Sequence, residues 1–118
     1  MLRRTFREKS VQLDGHDVSC TVVEFPNKQI VSLSRDGEME VSYDLPARPL
    51  TMKGAEFTMT NSLIGGNLKT QALAGQIGQQ ITKNTIFNTS GKFFSKADVT
   101  EHDHELLVKL IGFVSGCL

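Results

Sequence analysis

The chain has 118 residues, 39% of them hydrophobic and 22% charged, with thirteen basic residues balancing thirteen acidic ones. That supports one compact domain with one core, excludes an intrinsically disordered chain, and lacks the basic excess of a dedicated nucleic-acid or membrane-surface binder. Cys20 and Cys117, the two cysteines, can form neither a disulfide scaffold nor a tetrahedral zinc site, and no stretch approaches the ~20 apolar residues of a membrane span.

Residues 1–9 are arginine-rich, with Arg3, Arg4 and Arg7 beside Glu8 and Lys9. They have neither the apolar segment of a secretory signal nor a complete amphipathic helix, so a solvated basic arm is expected, followed by a single domain over 10–118. Reduced cysteines without a signal peptide point to the cytoplasm or nucleus. Charge is uneven along the chain: residues 35–45 carry a net −3, residues 46–96 a net +5, and residues 97–118 a net −3. Blocks of this kind can orient a partner.

The first half reads as strands. Val11-Gln12-Leu13 alternates into Asp14-Gly15, a tight-turn pair that suits positive φ. Over Asp17–Phe25, Val18, Cys20 and Val22 share one face, while Ser19, Thr21, Val23 and Phe25 share the other. After Pro26-Asn27-Lys28, the run 29–34 sets Ile30 against Val31 and Leu33. Apolar residues therefore occupy both phases of the two central strands, more than one sheet face of a small domain needs. Dimerisation through a sheet face or edge is expected from that excess. Arg35-Asp36-Gly37 turns the chain, and Glu38–Leu45 alternates Met39, Val41 and Tyr43 against Glu38, Glu40, Ser42 and Asp44. Turn signals about every ten residues suggest an antiparallel meander.

Residues 46–54 form a loop, because Pro46 and Pro49 do not fit a central strand. Arg48, Leu50, Met52 and Lys53 combine apolar tips with positive charge. Together with the acidic residues Glu38 and Glu40, they form a candidate partner-binding surface. One further strand, 55–64, runs into Gly65-Gly66-Asn67. There the period changes: Leu73, Ile77 and Ile81, with Ala74, make a helical stripe. Gly75 and Gly78 weaken that helix, a feature expected to allow close approach to a sheet. Thr85–Thr89 is a short strand that Phe93-Phe94 may extend or pair with. The last element is the clearest helix, opened by a Thr100/Asp103 capping pattern and carrying Leu106, Leu107, Leu110, Ile111 and Val114 on one face. The fold class is α+β: a mainly antiparallel sheet, as a meander or small sandwich, with one helix after Gly66 and a C-terminal helix packed on it.

Site chemistry is thin. Gly65-Gly66 before a helix could hold an anion, but the spacing matches no nucleotide-binding motif. His102 and His104 lie two residues apart, about 200° around a helix, and do not readily share a metal. Cys20 reads as a core residue, Cys117 as part of a frayed end, and His16 as a turn residue without an assigned partner. No Ser/His/Asp or Cys/His set assembles. No catalytic residue, metal or cofactor is expected, and no nucleic acid or membrane as partner.

One local motif carries a resemblance. Residues 57–67, Phe-Thr-Met-Thr-Asn-Ser-Leu-Ile-Gly-Gly-Asn, are similar to the strand ending in a Ser/Val-Leu-Leu-Gly turn in the third and fourth proteasome assembly chaperones. The order that follows also resembles them: a helix at 73–77, an apolar strand at 85–89 and a helix at 105–111. Lys83-Asn84 before the strand looks like the fourth chaperone, whereas the front half, with Asp36-Gly37-Glu38-Met39, looks more like the third. The resemblance covers residues 57 onward. It implies a non-catalytic chaperone that forms homo- or heterodimers, binds a proteasome α subunit during ring assembly, and needs neither nucleotide nor metal. Two other readings stand beside it: a small anion-binding domain or enzyme using the Gly65-Gly66 turn, and a structural subunit of a trafficking or scaffold complex.

Overall fold

A computed structural model of the chain describes residues 5–47, 61–64, 68–94 and 101–118. Within these, six strands form one sheet in the order β1-β2-β3-β6-β4-β5. The strands are β1 (Thr5–Leu13), β2 (His16–Glu24), β3 (Lys28–Arg35), β4 (Val41–Leu45), β5 (Asn61–Ile64) and β6 (Asn84–Thr89). Two helices, α1 (Leu68–Gly78) and α2 (Glu101–Cys117), complete the α+β fold.

The β1–β2 hairpin closes through two residues. Asp14 and Gly15 both have positive φ, 53° and 79°, matching the right-handed twist of the strands they join. Asp36 and Gly37 repeat this geometry after β3, with φ of 52° and 79°. There the hairpin stops after one rung, Arg35 against Glu38. The chain then leaves β3, and β6 takes the vacated place, parallel to β3 on one side and antiparallel to β4 on the other. The sheet is therefore neither the expected meander nor a sandwich. Carboxylates just beyond the rung hold the diversion: Glu40 accepts from the Ser90 hydroxyl at 3.0 Å and the Gly91 N–H at 2.7 Å, and Glu38 accepts from Lys92 Nζ at 2.5 Å. Met39, expected inside the strand pattern, is 46% exposed, and β4 begins at Val41.

Two further expectations change, and Asp103 takes a partner that the sequence did not show. Residues 5–9, read as part of a solvated arm, are strand β1 in full register with β2. Its inward-pointing cations explain this: Arg7 Nε donates to the Cys117 carbonyl at 2.8 Å and Lys9 Nζ to the Gly116 carbonyl at 2.8 Å, capping the last turn of α2. Phe93 belongs to a single 3₁₀ turn, Gly91–Phe93, and not to a strand, because both Phe93 and Phe94 are buried in the core. Asp103 is buried and pairs with Lys69 Nζ at 2.7 Å, tying α2 to α1. Its proposed capping partner Thr100 lies outside the described residues.

The core lies between one sheet face and the two helices. Val22, Val31, Phe87 and Tyr43 form a buried row across four strands, with Cys20 and Leu33 in the next row. From α1, Leu73, Ala74 and Ile77 pack onto it, and Thr70 Oγ1 shares a 2.7 Å hydrogen bond with the Tyr43 hydroxyl. From α2, Leu106, Leu110 and Val114 supply a stripe of i, i+4, i+8 spacing. Among the described residues, a Cβ built on Gly75 would meet nothing within 4 Å, and one on Gly78 only the Leu45 side chain at 3.8 Å, so no close approach to the sheet is seen at these glycines there.

Candidate protein-interaction surface

Strand alternation that buries one face turns the other outward, and strand register aligns the outward residues into rows. The first row is Phe6, Val23, Ile30 and Ile86, ending at Asp44. The second is Glu8, Thr21, Ser32, Asn88 and Ser42, and the third Ser10, Ser19 and Ser34. Among the described residues, no helix or strand packs on this face. Val23, Ile30 and Ile86 are half-buried, and Phe6 is 62% exposed.

Several side chains of the polar rows bond to one another. Ser10 and Ser19 hydroxyls lie 3.0 Å apart, Ser42 Oγ donates to Asn88 Oδ1 at 2.5 Å, and Asn88 Nδ2 donates to Ser32 Oγ at 3.4 Å. Small hydroxyl side chains bonded sideways keep the centre of the face low, while the apolar row stands beside them. Such a surface can meet another flat apolar surface with little polar desolvation.

At the rim, Glu24 accepts from Arg7 at 2.9 Å and pairs with Lys83 at 3.2 Å. Hydrogen bonds from these two cations hold its carboxyl below its ordinary value. The opposite end of the sheet carries a second polar cluster. Arg35 Nη2 lies 2.6 Å from His16 Nε2, and His16 Nδ1 lies 2.7 Å from Asp36 Oδ2, so both ring nitrogens are engaged. The Asp17 N–H, the stronger influence, and His16 together lower the Asp36 pKa. His16 thus has two partners where sequence showed none, and both are nonlocal. His102 pairs with Asp14 at 2.9 Å across a cleft of about 220 Å³ also lined by Leu13, Phe93 and Leu106. These pairs join the β1–β2 turn, the β3 turn and α2. No cluster of three or more His, Cys, Asp or Glu positioned for a metal occurs among the described residues. No helix there is long and apolar enough to cross a membrane.

Of the residues expected to contact a partner, Glu38 and Glu40 come together at the Ser90–Lys92 turn, with both carboxylates bonded within the chain. The Glu38 carboxylate beside it raises the Lys92 pKa. Arg48, Leu50, Met52 and Lys53 lie outside the described residues, as does Gly65-Gly66. The open-face row was only half visible in sequence: the opposed phase of Ile30 signalled it, but its alignment with Ile86 depends on the insertion of β6.

No protein-family model matches this chain, and no curated protein matches it. Among solved structures, a chain described as belonging to a novel chaperone complex for yeast 20S proteasome assembly has a similar fold, with a TM-score of 0.75 at 14% sequence identity. The likeness covers 96% of this chain and 98% of that one.

Proposed function

We propose that this chain is a non-catalytic assembly chaperone that pairs with a second chain of its own fold and binds a proteasome α subunit during 20S assembly. One observation carries the reading: a fold shared almost end to end with a member of a proteasome assembly complex leaves a sheet face with an apolar row uncovered among the described residues. A flat face of this kind suits a like partner, because two such faces bury each other's apolar rows, with the charged Asp44 and Glu8 confined to the ends of their rows. The 46–54 loop, with Arg48, Leu50, Met52 and Lys53, is proposed as the contact to the α subunit, because its sequence combines apolar tips with positive charge.

Sedimentation of the purified chain at micromolar concentration, alone and mixed with individually purified proteasome α subunits, tests both parts. The expected result is a dimer that comigrates with one α subunit, and that comigration weakens in the Leu50→Ala/Met52→Ala variant while the dimer persists. A strict monomer overturns the pairing. Failure of every α subunit to bind overturns the client assignment.

A further inference from the structure

The two thiols are 97 residues apart in sequence and meet in the core. Cys20 projects from the middle of β2 toward the helices and is 0% exposed. Cys117 closes the last turn of α2 and is 2% exposed. Cys117 Sγ donates to the Cys20 carbonyl oxygen at 3.6 Å, which brings the two cysteines into direct contact. Arg7 and Lys9, which hold the carbonyls of Cys117 and Gly116, fix the helix end over this strand. The pairing therefore results from specific long-range contacts and not from incidental crowding.

We propose that Cys20 and Cys117 form an oxidisable pair that hydrogen peroxide converts to an intramolecular disulfide, stapling the end of α2 to β2. The order of attack follows from position. Cys117 lies in the last turn of α2, where the carbonyls of Gly116 and Cys117 are bonded by Lys9 and Arg7 of β1, so local opening of that turn exposes its sulfur first. Cys20 is locked inside a paired strand, where burial, and to a smaller degree Cys117, push its thiol up to about 12. It is therefore inert toward solvent and acts as the resolving partner.

In the first step the Cys117 thiolate attacks one peroxide oxygen and the O–O bond breaks. Hydroxide leaves and takes up a proton as water, and Cys117 becomes a sulfenic acid. In the second, the Cys20 sulfur displaces the sulfenic hydroxyl. The S–O bond breaks, the S–S bond forms, and the Cys20 proton leaves with the hydroxyl as a second water. Two thiols are oxidised by two electrons in all, and one peroxide is reduced.

The inference is independent of the chaperone reading and needs no partner. Intact protein treated with hydrogen peroxide, then denatured and alkylated, is weighed by mass spectrometry. The expected product has lost two hydrogen atoms, takes up no alkyl group, and yields a cross-linked peptide containing both cysteines. Its melting temperature rises by roughly 5–15 °C, because the link closes nearly the whole chain into a loop. Dithiothreitol reverses both changes. Cys117→Ala, which leaves Cys20 without an oxidisable neighbour, resists peroxide. Two alkylated cysteines after treatment, sulfinic or sulfonic products, or a cross-link between molecules would each overturn the proposal. The wild-type mass decides it even if a variant fails to fold.

Discussion

Thr89 shows how a single buried atom can work against the fold. Its side chain faces the core between Leu33 and Val41, fully buried, and its hydroxyl has no hydrogen-bond partner among the described residues. An unsatisfied buried hydroxyl costs about 1–3 kcal/mol. Valine has the same branched shape and the same preference for strands without that cost. Thr89→Val is expected to stabilise the protein by about 1 kcal/mol, or roughly 4 °C in melting temperature. Calorimetry checks it, and a loss of stability would mean the hydroxyl has a partner after all. Tyr43 is the contrasting residue. It too is fully buried, but its hydroxyl reaches Thr70 at 2.7 Å, a demand met only because α1 crosses β4 at that point. Burial raises the Tyr43 pKa, with the Thr70 bond acting in the opposite direction. Neither outcome was legible in sequence, where both residues simply occupy inward positions of alternating strands.

Individual elements were more legible than their neighbours. The stripe Leu106, Leu110 and Val114 announces α2, and all three are buried. The Asp-Gly turns are equally plain, because few other pairs accept positive φ at both positions. By contrast, Glu38 and Glu40 share the alternation of 38–45, yet the strand begins only after them at Val41, and their carboxylates bind the Ser90–Lys92 turn 50 to 54 residues away. No local period encodes a contact of that separation. Gly75 illustrates the same limit within a helix. Its expected role was close packing, yet among the described residues the space a Cβ would occupy is open. Gly75→Ala should therefore lower the backbone entropy cost of α1 without a clash, and stabilise the protein by about 0.5–1 kcal/mol. Urea denaturation should show a higher midpoint at unchanged slope. A lower midpoint would mean that the position serves a close approach absent from the described residues.

At the scale of the whole molecule, β6 decides the character of the open face. Had β4 paired directly with β3, as a meander requires, Ile30 would have had no Ile86 beside it. With β6 inserted, the row Phe6, Val23, Ile30 and Ile86 crosses four strands. The apolar excess of the central strands was legible in sequence, but its gathering into one row was not, because strand order is set by nonlocal pairing. If this row is the pairing surface, replacing Ile30 and Ile86 together by threonine should weaken the dimer. Threonine keeps the branched shape that strands favour, so the monomer fold should change little. Each substitution acts on both copies of a symmetric pair, so four half-buried isoleucines are lost, and self-association should weaken about 100-fold or more. Sedimentation over a concentration series reads this directly, with circular dichroism of the dilute variant showing the fold intact. A variant that is folded yet as dimeric as wild type would move the interface away from this face. The long edge of β1, with its exposed Phe6 and Val11, would then be the surface to test next.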